Sequence, residues 1–312
     1  MSRTYKATGI NLKGMPLGES DRLLTILTRE YGLVRVVAPG VRKLKSRLGG
    51  RSSLFVVNEL LIAKGRSLDK ISQAETLESY PGLGKDLTKL TASQYLAELV
   101  LYQALSDQPQ EELFLLLCEH LTRLEQASSA TVLSCLTQAI FHFLAWAGIA
   151  PQLQICCTTQ RPLTPDYTDP DWRIGFSLTA GGVVSLSALE TTNRPIAASV
   201  KSGLLVTEVS HLKYCSDALD QKYPRPEIRL TAAELDLLQR LAQPDLLPPG
   251  QSLTKRESSE DLGASGLAYP LPVWLSVERT LRQYAQYHFD RPIRSAALMD
   301  TCFSPLPTAS FV

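Results

Sequence analysis

Residues 40–51 read GVRKLKSRLGGR, in which Arg42, Lys43, Lys45, Arg47 and Arg51 are basic and no acid intervenes. Cations packed this densely suit the neutralisation of phosphates, which asks for charge and reach but no fixed donor geometry, and the run taken alone reads equally as a solvated face. Their spacing is neither helical nor strand-like, and Gly40, Gly49 and Gly50 predict a mobile loop. Arg35 extends this candidate phosphate-binding set, with Arg22 and Arg29 as secondary members, although each of the three reads equally as a solvated strand residue. Tyr5 and Tyr31 have the faces to stack on bases, but in a small barrel a tyrosine more often packs at the core or rim.

Catalytic chemistry finds little support. The chain has no GxxxxGK[ST] phosphate loop, GxSxG elbow, HExxH or GxGxxG motif. Its four histidines show no triad or ligand spacing with a nucleophile, and His120 and His142 read as packed or surface residues of helices. Six cysteines in 312 residues are too sparse for a disulfide framework, which predicts reduced thiols in a cytosol. The reading is a binding protein, not an enzyme.

The net charge of +1 conceals a division. Residues 1–70 hold fourteen Lys and Arg against five Asp and Glu, whereas residues 71–312 hold eighteen against twenty-six. A basic end on an acidic body points to a polyanionic partner. No apolar run approaches the roughly 18 residues a membrane helix needs, and MSRTYKATG has no apolar core for export, so a cytoplasmic protein is expected.

The elements that must carry these residues change character along the chain. Residues 4–13, 20–29, 33–38, 54–64 and 68–79 are short stretches rich in Thr, Val, Ile and Leu, separated by Gly and Pro turn signals. Five such strands predict a small nucleic-acid-binding barrel of the OB-fold kind, with the basic run between the third and fourth strands. Helical periodicity then covers 86–105 and 111–124, while 130–146 is apolar nearly all round and stops at Gly148 and Pro151. Thr231 and Glu234 form a capping box that starts a further helix, and 274–289 is helical with Arg279 and Arg282 on it. Those two arginines are also candidates for a secondary contact with the anionic partner, weighed against a role in complementing the helix dipole.

The stretch GESDRLLTILTREYGLVRVVAPGVRKLKSRLGG resembles the opening of the bacterial DNA repair RecO family, and AETLESYPGLGKDLTKLTASQYLAELV is similar to that family's crossing from barrel to helices. WLSVERTLRQYAQYHFDRPIRS is a looser match to its C-terminal helix. The resemblance implies a recombination mediator of the RecF pathway. Such a protein binds single- and double-stranded DNA, promotes strand annealing, and works with RecR to load RecA onto DNA coated by single-stranded DNA-binding protein (SSB), in the cytoplasm at the nucleoid. Many relatives carry a zinc module of two CxxC pairs. Here the first reads Cys156-Cys157-Thr158-Thr159 and the second position reads Val183-Val184-Ser185-Leu186, so a metal-free remnant packed by Trp172, Ile174 and Phe176 is expected, with His211 and Cys215 as the conceivable substitute ligands.

The expected architecture is therefore α+β and multidomain. An OB-fold barrel occupies 1–80, the first part of a mainly helical domain 81–151, a degenerate zinc-finger-like region 152–222, and a C-terminal helical part 223–312 with a mobile insertion at 244–272. No cofactor is expected. Two alternatives stay open: an OB-fold RNA-binding or ribosome-associated protein, because a basic loop does not tell the sugars apart, and a protein adaptor working through the acidic body.

Overall fold

The computed structural model describes residues 4–186, 226–243 and 269–303. Five strands, β1 (Thr4–Leu17), β2 (Asp21–Thr28), β3 (Gly32–Ala38), β4 (Val56–Ala63) and β5 (Asp69–Ser79), close into a barrel in the order β1-β2-β3-β5-β4. Closure depends on the length of β1. Its first half pairs with β4 and its second half with β2, and the ladder to β2 slips by one residue between Asn11 and Lys13. That bulge bends the strand and leaves Ile10, Asn11 and Leu12 all buried in succession. Alternate residues of the strands turn inward, so Ala7, Leu24, Ile26, Val36, Ala38, Leu60, Ile62 and Ile71 fill one core. A short parallel pairing, Val36 with Asp69 and Val37 with Lys70, completes the OB-fold circuit.

Three helices follow: α1 (Leu87–Gln103), α2 (Glu111–Gln126) and α3 (Val132–Trp146). Asp86 starts α1 by accepting the Thr88 and Lys89 amides, a carboxylate N-cap at the positive end of the helix. Tyr95, Phe114 and Phe143 are fully buried among these helices, and α3 is enclosed on most of its surface. The barrel is joined to them through Gly32. Its φ of +63° belongs to glycine, and a Cβ there would stand 2.0 Å from the Leu105 carbonyl oxygen. The Leu33 amide donates to that same oxygen at 2.9 Å.

By contact the chain divides into two compact units. Residues 4–146 and 289–303 belong to the first, and the described residues between them to the second. In the second, β6 (Ile174–Ser177) lies between β7 (Gly182–Val184) and β8 (Ile228–Leu230), followed by α4 (Ala232–Leu241) and α5 (Leu271–Phe289), the last residue of which belongs to the first unit. The Thr231 and Glu234 capping box is formed in full. Ile174 and Phe176 are buried, while Trp172 is only half-buried. Of the expected insertion, 244–268 lies outside the described residues; at its far end Tyr269 is buried and α5 already begins at Leu271. A final helix, α6 (Ala296–Phe303), packs on α1 in the first unit. Among the described residues no helix is long and apolar enough to cross a membrane.

Candidate nucleic-acid interface

The basic run connects β3 to β4, and the structure differs from the mobile loop its glycines suggest. Val41 is buried in the barrel core and Leu48 packs partly against it, so the segment is anchored by apolar side chains on either side of its tip. Successive reverse turns fill the interval: Lys43 donates to the Gly40 carbonyl, Ser46 to Lys43, Gly49 to Ser46, and Ser52 to Leu48 at 3.0 Å. Asp21 holds the entry by accepting the Gly40 amide at 2.8 Å. That bond, with a second from the Ser20 hydroxyl, keeps its carboxyl below the usual carboxylate range.

Two buried asparagines hold the exit. Asn11 Nδ2 donates to the carbonyls of Arg51 at 2.7 Å and Ser53 at 2.9 Å, and Asn58 Nδ2 donates to the same Arg51 oxygen at 2.9 Å. Both are almost wholly enclosed in the barrel wall. Their role passed unnoticed in the sequence, where a polar residue within the runs Ile10-Asn11-Leu12 and Val57-Asn58-Glu59 was the available signal.

The loop therefore presents its cations from a fixed base. Arg42, Lys43, Lys45 and Arg47 are exposed and Arg51 is half-buried, its guanidinium bonded to the Arg47 carbonyl at 2.9 Å. Among the described residues none of the five makes an ion pair. At the tip, between Lys43 and Lys45, the Leu44 side chain is fully exposed at 106%.

The remaining candidates separate into different surroundings. Arg35 is exposed on β3, opposite Thr25. Arg22 lies near the loop's exit, with Nη1 3.3 Å from the Ser52 carbonyl oxygen. Arg29 is directed toward α2 instead: its guanidinium sits 4.8 Å from the centre of the Phe114 ring and 4.0 Å from Glu111. In the second unit Arg282 is paired with buried Glu278 at 3.4 Å, and Arg279 is exposed on the same helix. Tyr5 donates to Asp69 and meets Tyr31 edge-on at 4.9 Å, which occupies one of its faces with packing.

The cysteine region is tied together by hydrogen bonds to one thiol. Cys156 Sγ accepts the amides of Thr159 at 3.4 Å and Ser185 at 3.2 Å; burial opposes its ionisation, but these donors prevail and hold the thiol below its usual range. Among the described residues no three His, Cys, Asp or Glu side chains gather as a metal site, and His211 and Cys215 lie outside those residues.

A closed five-stranded barrel that carries an anchored cationic loop and is continued by a helical body defines the class, an OB-fold protein with a helical extension. The particular family follows from comparison with known proteins. The family model for the recombination protein O N-terminal region matches residues 1–80, and that for the C-terminal region matches 84–202. Three proteins named DNA repair protein RecO are similar over nearly their whole lengths. One from a Cyanothece species is 61% identical, covering 99% of each chain. One from a Nostoc species is 55% identical over 97% of this chain and 98% of its own. One from Acaryochloris marina is 54% identical over 100% and 99%. The chain belongs to the RecO family, a family of DNA repair and recombination.

Proposed function

We propose that this protein is a recombination mediator that grips the sugar-phosphate backbone of single- and double-stranded DNA with Arg42, Lys43, Lys45, Arg47 and Arg51, aided by Arg35. The observation that carries this reading is the pinned loop: five cations that make no ion pair among the described residues, held out from the barrel by Asp21 at one end and by Asn11 and Asn58 at the other. Cations not neutralised by a carboxylate keep their charge for phosphates, and an anchored base lowers the entropy lost when they engage. Neutralising phosphates lets two strands approach, which supports strand annealing without bond chemistry. Family membership supports the rest of the role: cooperation with RecR in loading RecA on DNA coated by SSB, in the cytoplasm at the nucleoid.

The test is charge reversal of Arg42, Lys43, Lys45 and Arg47 to Glu together, followed by DNA affinity across a salt series and an annealing assay with purified protein. Each lost phosphate contact should flatten the log–log salt dependence by about 0.9 on duplex and about 0.7 on single strands. An unchanged slope with the fold intact would remove the loop from the interface. Competition by unlabelled structured RNA belongs in the same experiment, since a strong preference for RNA would overturn the mediator reading.

A further inference from the structure

The first unit contains a groove of about 720 Å³ that the loop does not fill. Its walls are β1 around the bulge, the start of β2, one stripe of α1, and the segment just before α6. Four cations from three distant parts of the chain line it, Lys13, Arg22, Arg291 and Arg294, and among the described residues none of them is ion-paired.

Their placement is specific. The bulge at Asn11 and Lys13 buries Leu12 and leaves the Lys13 side chain exposed. Gly14 leaves room for the Arg22 stem, since a Cβ there would lie 3.0 Å from Arg22 Cδ, and the guanidinium then reaches the Ser52 carbonyl at 3.3 Å. Arg291 lies over the Tyr102 ring, 5.5 Å from its centre, and the Tyr102 hydroxyl donates to the Pro292 carbonyl at 2.8 Å. The single carboxylate of the groove, Glu98, is engaged by the backbone: its Oε2 accepts the Arg294 amide at 2.7 Å and the Ser295 amide and hydroxyl at 3.3 Å. It thereby holds the segment that carries two of the cations.

We infer that this groove binds the phosphodiester backbone of one nucleic-acid strand, as a second track beside the basic loop. The inference rests on the proposed DNA-binding reading of that loop. Ser52 lines the groove and directly follows Arg51, so the two cationic surfaces are continuous. The volume lies within the range of about 300–1,000 Å³ of small-molecule clefts, which suits an extended strand and is too confined for a duplex. Of the apolar lining residues, Leu12 and Ala97 are buried whereas Leu54 is exposed, so an acidic peptide is the competing occupant that the experiment below includes, and the adjoining cations of the loop favour a strand. Two tracks give one protein a place for each of the strands to be paired.

The experiment compares a groove variant, Lys13→Gln, Arg291→Gln and Arg294→Gln, with the loop variant and the unaltered protein. All three are titrated by anisotropy with labelled oligo-dT, with a hairpin duplex and with a labelled acidic peptide, across a salt series. Neutral glutamines on exposed positions spare the packing, and matching thermal midpoints establish the fold. The groove variant should bind oligo-dT more weakly with a slope shallower by about 2, three contacts at about 0.7 each, and keep its duplex affinity. Unchanged oligo-dT binding would overturn the groove while leaving the loop reading intact. Wild-type DNA binding by the loop variant would instead sink the loop reading. A groove variant that loses only the acidic peptide would overturn the strand assignment in favour of a protein partner.

Discussion

The side-chain amide of Asn11, buried in β1, donates to the main-chain carbonyl of Arg51 at 2.7 Å and so ties the end of the cationic loop to the barrel wall. A second buried amide, Asn58, reaches the same oxygen, which leaves Arg51 little freedom to shift. Both lone pairs of that carbonyl are in use inside the barrel, away from water. Asn11→Ala is therefore expected to take the side-chain donor from the Ser53 carbonyl, to leave the Arg51 carbonyl with Asn58 as its remaining side-chain donor, and to cost about 1–3 kcal/mol of stability. Urea unfolding measures it: the midpoint should fall with the slope of the transition unchanged.

The same pinning separates charge from order in DNA binding. Asn58→Ala removes no charge, yet it frees one of the two donors on Arg51. Weaker DNA affinity with an unaltered salt slope is expected, because the number of phosphates contacted stays the same while ordering the loop costs more. A slope that changes as much as in the charge-reversed loop would show that Asn58 does more than hold the backbone.

Leu44 concerns base contact. A leucine side chain exposed at 106% between two lysines gains nothing within the fold, and loop tips of this kind insert apolar wedges between bases. Leu44→Ala is expected to leave stability within about 0.5 kcal/mol, as for other surface substitutions. Its effect should appear in the fluorescence of 2-aminopurine in bound DNA, which rises on unstacking: a smaller rise for Ala and a restored one for Leu44→Phe. Equal signals from all three proteins would leave Leu44 as a solvent-facing residue only.

What the sequence could and could not disclose follows from the range of the interactions. The five strands and first three helices were legible because alternation, apolar periodicity and turn residues are local, as Leu24 and Ile26 or the Thr231 box illustrate. The cations of the loop were legible for the same reason. Its order was not, since that depends on Asn11, 40 residues before Arg51, and glycines alone suggest freedom. Arg29 shows the converse: its local setting at the end of β2 resembled a phosphate track, but Phe114, far along the chain, claims its guanidinium. The groove needed Lys13, Arg22 and Arg294 to meet, and no local pattern in the chain joins residues so far apart.

The helical half of the first unit should respond to acid through His120 and His142. His120 Nε2 lies 3.1 Å from His142 Nδ1 in the contact between α2 and α3, with buried Arg123 close by. Burial, then the neighbouring His142 and Arg123, hold the His120 pKa down at about 3, and burial with Arg123 also lowers that of His142. In the unfolded chain a histidine titrates near 6.5. Between about pH 3 and pH 6.5 the unfolded state therefore binds more protons at His120, and stability rises with pH across that window. The stabilisation is complete above pH 6.5 and is lost on acidification, by an amount on the order of a few kcal/mol. His120→Leu removes this term without adding a charge, so its stability should fall less than that of the unaltered protein between pH 7 and pH 4. Urea unfolding at a series of pH values makes the comparison, with the carboxylates common to both proteins cancelling in the difference. Parallel curves would mean that His120 takes up its proton in the folded protein as readily as in the unfolded chain, contrary to its enclosure between Phe143 and the helices.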